Sequence, residues 1–311
     1  MGDIIIMEKQ AEMNQLKAWL SAGTCTLLAL TAPGNGVLTY TLAAMVAGLL
    51  CWCVNKLCAG KSWPKWMYGV RLVWSIAAIL YVLQFPTAVW DTKRNIAIPL
   101  VLFLLALWGI GRGIRVNMAA GAVLLWFVAA LLGGILLASA ENVIPKFGLR
   151  DPWEYHFSAV PALLLPALLG LMSSGADKGK GKWFVPVLAG GLAAAFLVRG
   201  NMMDVEDGAP GFVTLSRSVE LFGKTLRLES VAALGLTLGI YCAVSLLVTE
   251  AVVCIEKLGA KKYAAVVVTA AVVVLGMLCK ITISGAIAAI GSLICWVFLP
   301  LLTQLVVGEK K

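Results

Sequence analysis

The chain has 311 residues, is 61% hydrophobic and only 13% charged, about half the charge of a soluble globular domain. This excludes an ordinary soluble enzyme, a disordered chain and a secreted disulfide scaffold, since the eight Cys lie almost wholly inside apolar runs. What remains is an all-α polytopic membrane protein. The net charge of +9 then reads as loop asymmetry, not as a footprint for nucleic acid.

Apolar segments follow one another at 16–33, 37–58, 67–90, 96–111, 117–139, 157–174, 183–199, 229–256, 263–281 and 283–306. Most are close to the ~20 residues that cross a bilayer as a helix. The first has no small-residue cleavage site after it, so it reads as a retained span. Runs such as Val266–Leu278 do not alternate apolar and polar residues, which favours helices over barrel strands. The whole is one transmembrane domain.

Basic residues set the orientation. With both termini cytoplasmic, the inner loops hold Lys56, Lys61, Lys65, Arg112, Arg115, Lys178, Lys180, Lys182, Lys257, Lys261 and Lys262. The short outer loops hold few. The long outer loop 199–230 is acidic first (Asp204, Glu206, Asp207) and amphipathic later. Val213, Leu215, Val219, Phe222 and Leu226 could line one face of a short helix over the outer mouth. That helix would be a lid, a docking surface or a plain interfacial helix. Trp63, Trp66, Trp90, Trp153 and Trp183 fall near span ends and read as an aromatic belt.

Cys51, Cys53 and Cys58 sit at the inner end of the second span, where thiols stay reduced. With one His, His156, and no Cys/His cluster, no metal site and no cofactor are expected.

The spans divide five and five, with a first half at 16–139 and a second at 157–306. Transporters built from inverted repeats hold substrate where the first helix of each half is broken. Ser21–Thr26 interrupts the first segment with small and hydroxyl residues, and Pro161 and Pro166 interrupt the sixth. Each Pro lacks an N–H and clashes with the turn before it. The competing reading is close helix packing at the small residues.

The order of the segments resembles the spore germination protein family, the amino-acid-permease-like B subunits of germinant receptors. Four stretches carry the likeness: Gly109–Ala119 (GIGRGIRVNMA), Asn142–Pro145, Phe212–Glu229 with Arg217-Ser218 and Arg227-Leu228-Glu229, and the Pro-containing last helix with its basic tail, Trp296–Lys311. The resemblance implies the LeuT-like ten-helix inverted repeat of the amino acid–polyamine–organocation superfamily. It also implies sensing of a small nutrient such as an amino acid, partnership with A and C subunits, and a place in the spore inner membrane.

In that picture Gly23, Thr24, Cys25 and Thr26 would offer backbone amides and hydroxyls to a ligand carboxylate, faced by Ser158 and the backbone around Pro161. Tyr81 and Gln84 of segment three, with Thr237, Tyr241 and Ser245 of segment eight, would flank the cavity. The last three recur every four residues and share a helix face. They could equally bond to their own helix or a neighbouring one. Arg71 and Glu250 are charges inside spans, where they are expensive and need partners. An Arg71–Glu250 ion pair is expected, the competing reading being that both snorkel to the interface.

Two functions use this cavity: a germinant-receptor subunit, or an autonomous amino acid transporter coupled to proton or sodium. An enzyme is not expected, because the scattered acids and single His make no acid–base or metal set.

Overall fold

A computed structural model of the chain describes residues 49–50, 53–54, 63–84, 97–138, 216, 219–221, 224–226, 228–260, 263–278, 283 and 285–308. These residues are helical apart from one small hairpin. The helices are α1 (Lys65–Val82), α2 (Ala97–Gly111), α3 (Ile114–Ala138), α4 (Glu229–Leu258), α5 (Ala264–Val272), α6 (Gly285–Leu293) and α7 (Leu299–Gly308). They coincide, within a few residues at most described ends, with six of the apolar segments. The expected spans before residue 49 and between 139 and 215 lie outside the described residues. The two segments expected to be interrupted, 16–33 and 157–174, are among them.

α4 is the axis of the structure. Its 30 residues run about 45 Å at 1.5 Å per residue. They are buried nearly all round, from Ala232 to Ile255. A helix apolar on every side belongs in a core or a membrane, not on a wet surface. α1, α2, α3 and α5 pack around it. Its end is set by Gly259 at φ 101, a left-handed position that suits a residue without Cβ. The N–H of Ala260 then reaches back to the carbonyl of Ile255 at 3.1 Å.

α1 starts after Pro64, whose extended backbone suits the residue before a first turn. Met67, Arg71, Ser75, Ile79 and Val82 recur at helical spacing on its buried face. That face lies on α4. Phe103 and Ala106 of α2, Leu125 and Val128 of α3, and Leu236, Ile240, Leu247 and Ala251 of α4 continue the same core. Met118 and Ala122 of α3 meet Cys242 and Leu246 of α4 in a smaller cluster.

Two helices change pitch. α5 runs on as a π-helical turn over Val273–Leu278, and α6 joins α7 through another over Ile294–Phe298. The second has a visible cause. Pro300 has no N–H and would crowd the carbonyl four residues back, at Trp296. Widening the turn just before the proline relieves that crowding.

The segment before α4 departs from expectation. Val219–Leu221 and Lys224–Leu226 form antiparallel strands β1 and β2, with Val219 opposite Leu226 and Leu221 opposite Lys224. The amphipathic helix expected through Val219 and Leu226 is therefore not formed there. Val213, Leu215 and Phe222 lie outside the described residues. Val219 and Leu226 suit a helical face as well as a strand face, and strands of three residues are too short for a period of two to stand out. The hairpin base is closed by the Leu228 N–H donating to the Ser216 carbonyl at 3.0 Å.

Candidate functional site

Arg71 of α1 and Glu250 of α4 meet. Arg71 Nη2 lies 2.9 Å from Glu250 Oε1, with side chains only 8% and 11% exposed. Nothing local brings these residues together; the packing of α1 on α4 does. Two further groups hold the pair. The Cys254 thiol, one turn along α4, donates to the same Glu250 oxygen at 3.5 Å. The Trp63 ring lies beneath the guanidinium, its centroid 5.9 Å from Cζ, close enough for a cation–π attraction. Trp63, expected in the interface belt, thus also serves the ion pair. A buried pair is tolerated where such extra partners offset desolvation.

A second polar contact sits five residues earlier on α4. Asn117 of α3 donates from Nδ2 to Ser245 Oγ at 2.6 Å, both side chains buried. The segment Gly109–Ala119 makes this contact possible. α2 ends at Gly111, the chain turns at Gly113 with φ 116, and α3 begins at once. A Cβ on Gly109 would collide with Asn117 Oδ1. Gly109→Ala is therefore expected to destabilise the protein by about 1–3 kcal/mol, the cost of overpacking a filled core. Thermal unfolding in detergent checks it.

The expected cavity residues have mixed fates. Ser245 accepts from Asn117. Thr237 Oγ1 donates to its own helix at Ala233 O, 2.7 Å away, and Thr249 does the same to Ser245 O at 2.8 Å. Tyr81 is buried, Tyr241 and Gln84 are half-buried, and the Gln84 amide reaches Leu80 O at 3.4 Å. Thr237→Val keeps the shape and removes the bond to Ala233 O. It is expected to change stability by no more than about 0.5 kcal/mol, whereas Asn117→Leu orphans the Ser245 hydroxyl and costs about 1–3 kcal/mol. Paired melting curves separate them. Gly23, Thr24, Cys25, Thr26, Ser158 and Pro161 lie outside the described residues.

Among the described residues the cysteines Cys53, Cys242, Cys254 and Cys295 are free thiols, and no His/Cys/Asp/Glu group could hold a metal ion.

Several polar residues were not singled out from the sequence. They are Ser75, Trp74, Asn117, Ser292 and Trp296. Trp74 Nε1 donates to Ser292 Oγ at 3.0 Å, tying α1 to α6. Asn117 stood inside a motif read only for family likeness. A polar residue inside a long apolar segment, as Asn117 and Ser292 are, was the available signal.

No family model and no curated protein matches the chain.

Proposed function

We propose that the chain is a multi-pass membrane protein that binds a small nutrient, an amino acid in zwitterionic form, and senses it rather than catalysing its conversion. The supporting observation is that the helices carry apolar side chains on both sides. Inward faces form the core. Outward faces expose Val101, Leu104, Leu105 and Trp108 on α2, Val123, Trp126 and Phe127 on α3, and Ile290, Leu302 and Leu305 on α6 and α7. Such stripes suit lipid and would be an aggregation hazard in water. Two helices, Ile114–Ile135 within α3 and the whole of α4, are long and apolar enough to cross a membrane.

α4 supplies a depth scale. Residues 230–249 carry no charge and measure about 30 Å as a helix, the thickness of the hydrocarbon layer. Glu229 and Glu250 then mark its two faces, and the Arg71–Glu250 pair lies at the cytoplasmic one when both termini are inside. A charge pair at that level, between packed helices, is a place where a ligand-linked rearrangement can be transmitted.

The germinant-receptor form of this reading, with A and C subunits in the spore inner membrane, rests on the residue likeness in Gly109–Ala119, Phe212–Glu229 and Trp296–Lys311. Reconstituted vesicles test it. Saturable amino acid binding without gradient-driven accumulation is expected. Accumulation against a gradient would make the protein a transporter. Absence of binding by any amino acid would overturn both readings.

A further inference from the structure

The outward stripes of α2 and α3 each end in an arginine, at the same end of the helical hairpin. On α2, Val101, Leu104, Leu105 and Trp108 share one exposed face at helical spacing, and Arg112 continues that face just past the last turn. On α3, Arg115, Val123 and Trp126 share another. Both arginines are exposed. The turn between the helices is tight: the Arg112 N–H donates to Gly109 O at 3.1 Å and the Gly113 N–H to Ile110 O at 2.9 Å. Three residues apart, the two arginines have Cα atoms no more than about 11 Å from one another.

The Arg112 guanidinium folds back over the Trp108 ring, its Cζ 5.1 Å from the centroid. Trp108 is 65% exposed, so this cation–π contact lies on the surface and holds the charge at the head of the apolar stripe. Residues 97–138 contain these two arginines and no Asp, Glu, Lys or His. The hairpin therefore has no carboxylate of its own to answer them. Their level follows from the packing of α3 on α4. Asn117 meets Ser245, and one turn on the Cys242 thiol donates to Gly121 O at 3.7 Å. The two helices are thus antiparallel, and two residues back from Asn117 Arg115 reaches the level of Leu247. That is within about 5 Å of the level of Glu250 at 1.5 Å per residue, where the uncharged run 230–249 ends. Glu250 itself is held by Arg71.

Apolar stripes alone would suit any lipid. Two guanidinium groups at their head, where acyl chains give way to headgroups, favour an anion. Arginine matches phosphate oxygens in geometry as well as in charge. We propose that the α2–α3 turn is a binding site for an anionic phospholipid. The phosphate-bearing head meets Arg112 and Arg115, and the acyl chains lie along the stripes below, past Trp108 and Val123. Trp108 acts through Arg112, by holding the guanidinium at the level of the phosphate. The proposal rests on the membrane-spanning part of the reading above and not on nutrient binding.

The test uses the purified full-length protein in detergent, with thermal stabilisation followed during lipid titration. The probes are phosphatidylglycerol, phosphatidylcholine with the same acyl chains, and glycerol 3-phosphate as a head without chains. Phosphatidylglycerol is expected to stabilise at a half-maximal concentration about tenfold below that of phosphatidylcholine, whose choline offsets the phosphate charge. Glycerol 3-phosphate is expected to have no effect. Arg112→Gln and Arg115→Gln should each raise the phosphatidylglycerol value about tenfold, the loss of one charge-assisted contact. Trp108→Leu leaves both charges and should raise it about threefold. Lys65→Gln removes an exposed cation at the start of α1 and should leave it unchanged. Equal stabilisation by the two lipids overturns the anionic site and leaves a general lipid-facing surface. Stabilisation by glycerol 3-phosphate as strong as by lipid overturns the lipid and makes a soluble phosphate ester the ligand. Unchanged titrations in both arginine variants, or an equal loss in Lys65→Gln, overturn the placement at this turn. A protein that stays monodisperse once detergent is removed overturns the membrane reading together with the site. One that needs detergent but prefers neither lipid loses the site alone.

Discussion

Glu250→Arg is expected to destabilise the protein by about 3–5 kcal/mol, and Arg71→Glu by a similar amount. Each leaves two like charges facing one another in a site that is nearly closed to solvent, 2.9 Å apart in the parent pair. The size of the loss comes less from the missing attraction than from a buried charge left without its counterpart. Arg71→Glu combined with Glu250→Arg restores an opposite pair at the same place and should recover most of the loss. It should not recover all, because the guanidinium then moves away from the Trp63 ring and the Cys254 thiol no longer faces a carboxylate. Melting temperature and the monodisperse fraction in detergent provide the readout. The recovery should persist in high salt, since a pair shielded by packed helices is screened far less than a surface pair. A double variant no more stable than either single one would show that the two side chains do not depend on each other.

Gly291→Ala is the second large effect. A Cβ at this position would land in the Trp74 ring. The ring cannot retreat freely, because its Nε1 is held by Ser292 on the very next residue. Overpacking of about 1–3 kcal/mol then adds to a hydrogen bond worth about 1 kcal/mol. Trp74→Leu in the same chain vacates the space, so the double variant should be more stable than the sum of the single losses predicts. Gly69→Ala provides the contrast. Gly69 lies within α1, and a Cβ there meets nothing within 4 Å. Its change should be neutral or stabilising by about 0.5–1 kcal/mol, since alanine loses less backbone freedom in a helix. The same substitution in two helices is thus expected to have opposite signs. Unfolding curves of the set measure it.

Much of the helical layout was legible in the sequence for a simple reason. A helix in an apolar medium needs a long uncharged run, and each such run is visible residue by residue. Segment 229–256 corresponds to α4 at Glu229–Leu258, and segment 96–111 to α2 at Ala97–Gly111. The ion pair was legible for a related reason: a charge in such a run demands a partner, and Arg71 and Glu250 could answer one another. The loop was not. Three residues on each side of Phe222-Gly223 do not distinguish a strand period from a helical one, so β1 and β2 form where a helix was expected. The shared face of Thr237, Tyr241 and Ser245 was readable, but not the direction of each hydroxyl. Thr237 turns to the Ala233 carbonyl of its own helix, while Ser245 meets Asn117 from α3.

By itself, the sequence determined that the chain is built of apolar helices and that Arg71 and Glu250, as charges within apolar segments, were candidates for a pair. These follow from composition, hydropathy and the cost of burying charge, each a property of the residue and its near neighbours. The tertiary structure alone decided which surfaces touch. Gly109 against Asn117, Gly291 against Trp74, and the Trp74–Ser292 bond are facts of helix rotation and register. A small rotation of α1 about its axis would leave every apolar run unchanged. It would also separate Trp74 from Ser292 and Arg71 from Glu250. Hydropathy is insensitive to that angle, whereas hydrogen bonds and close packing depend on it to within a fraction of an ångström.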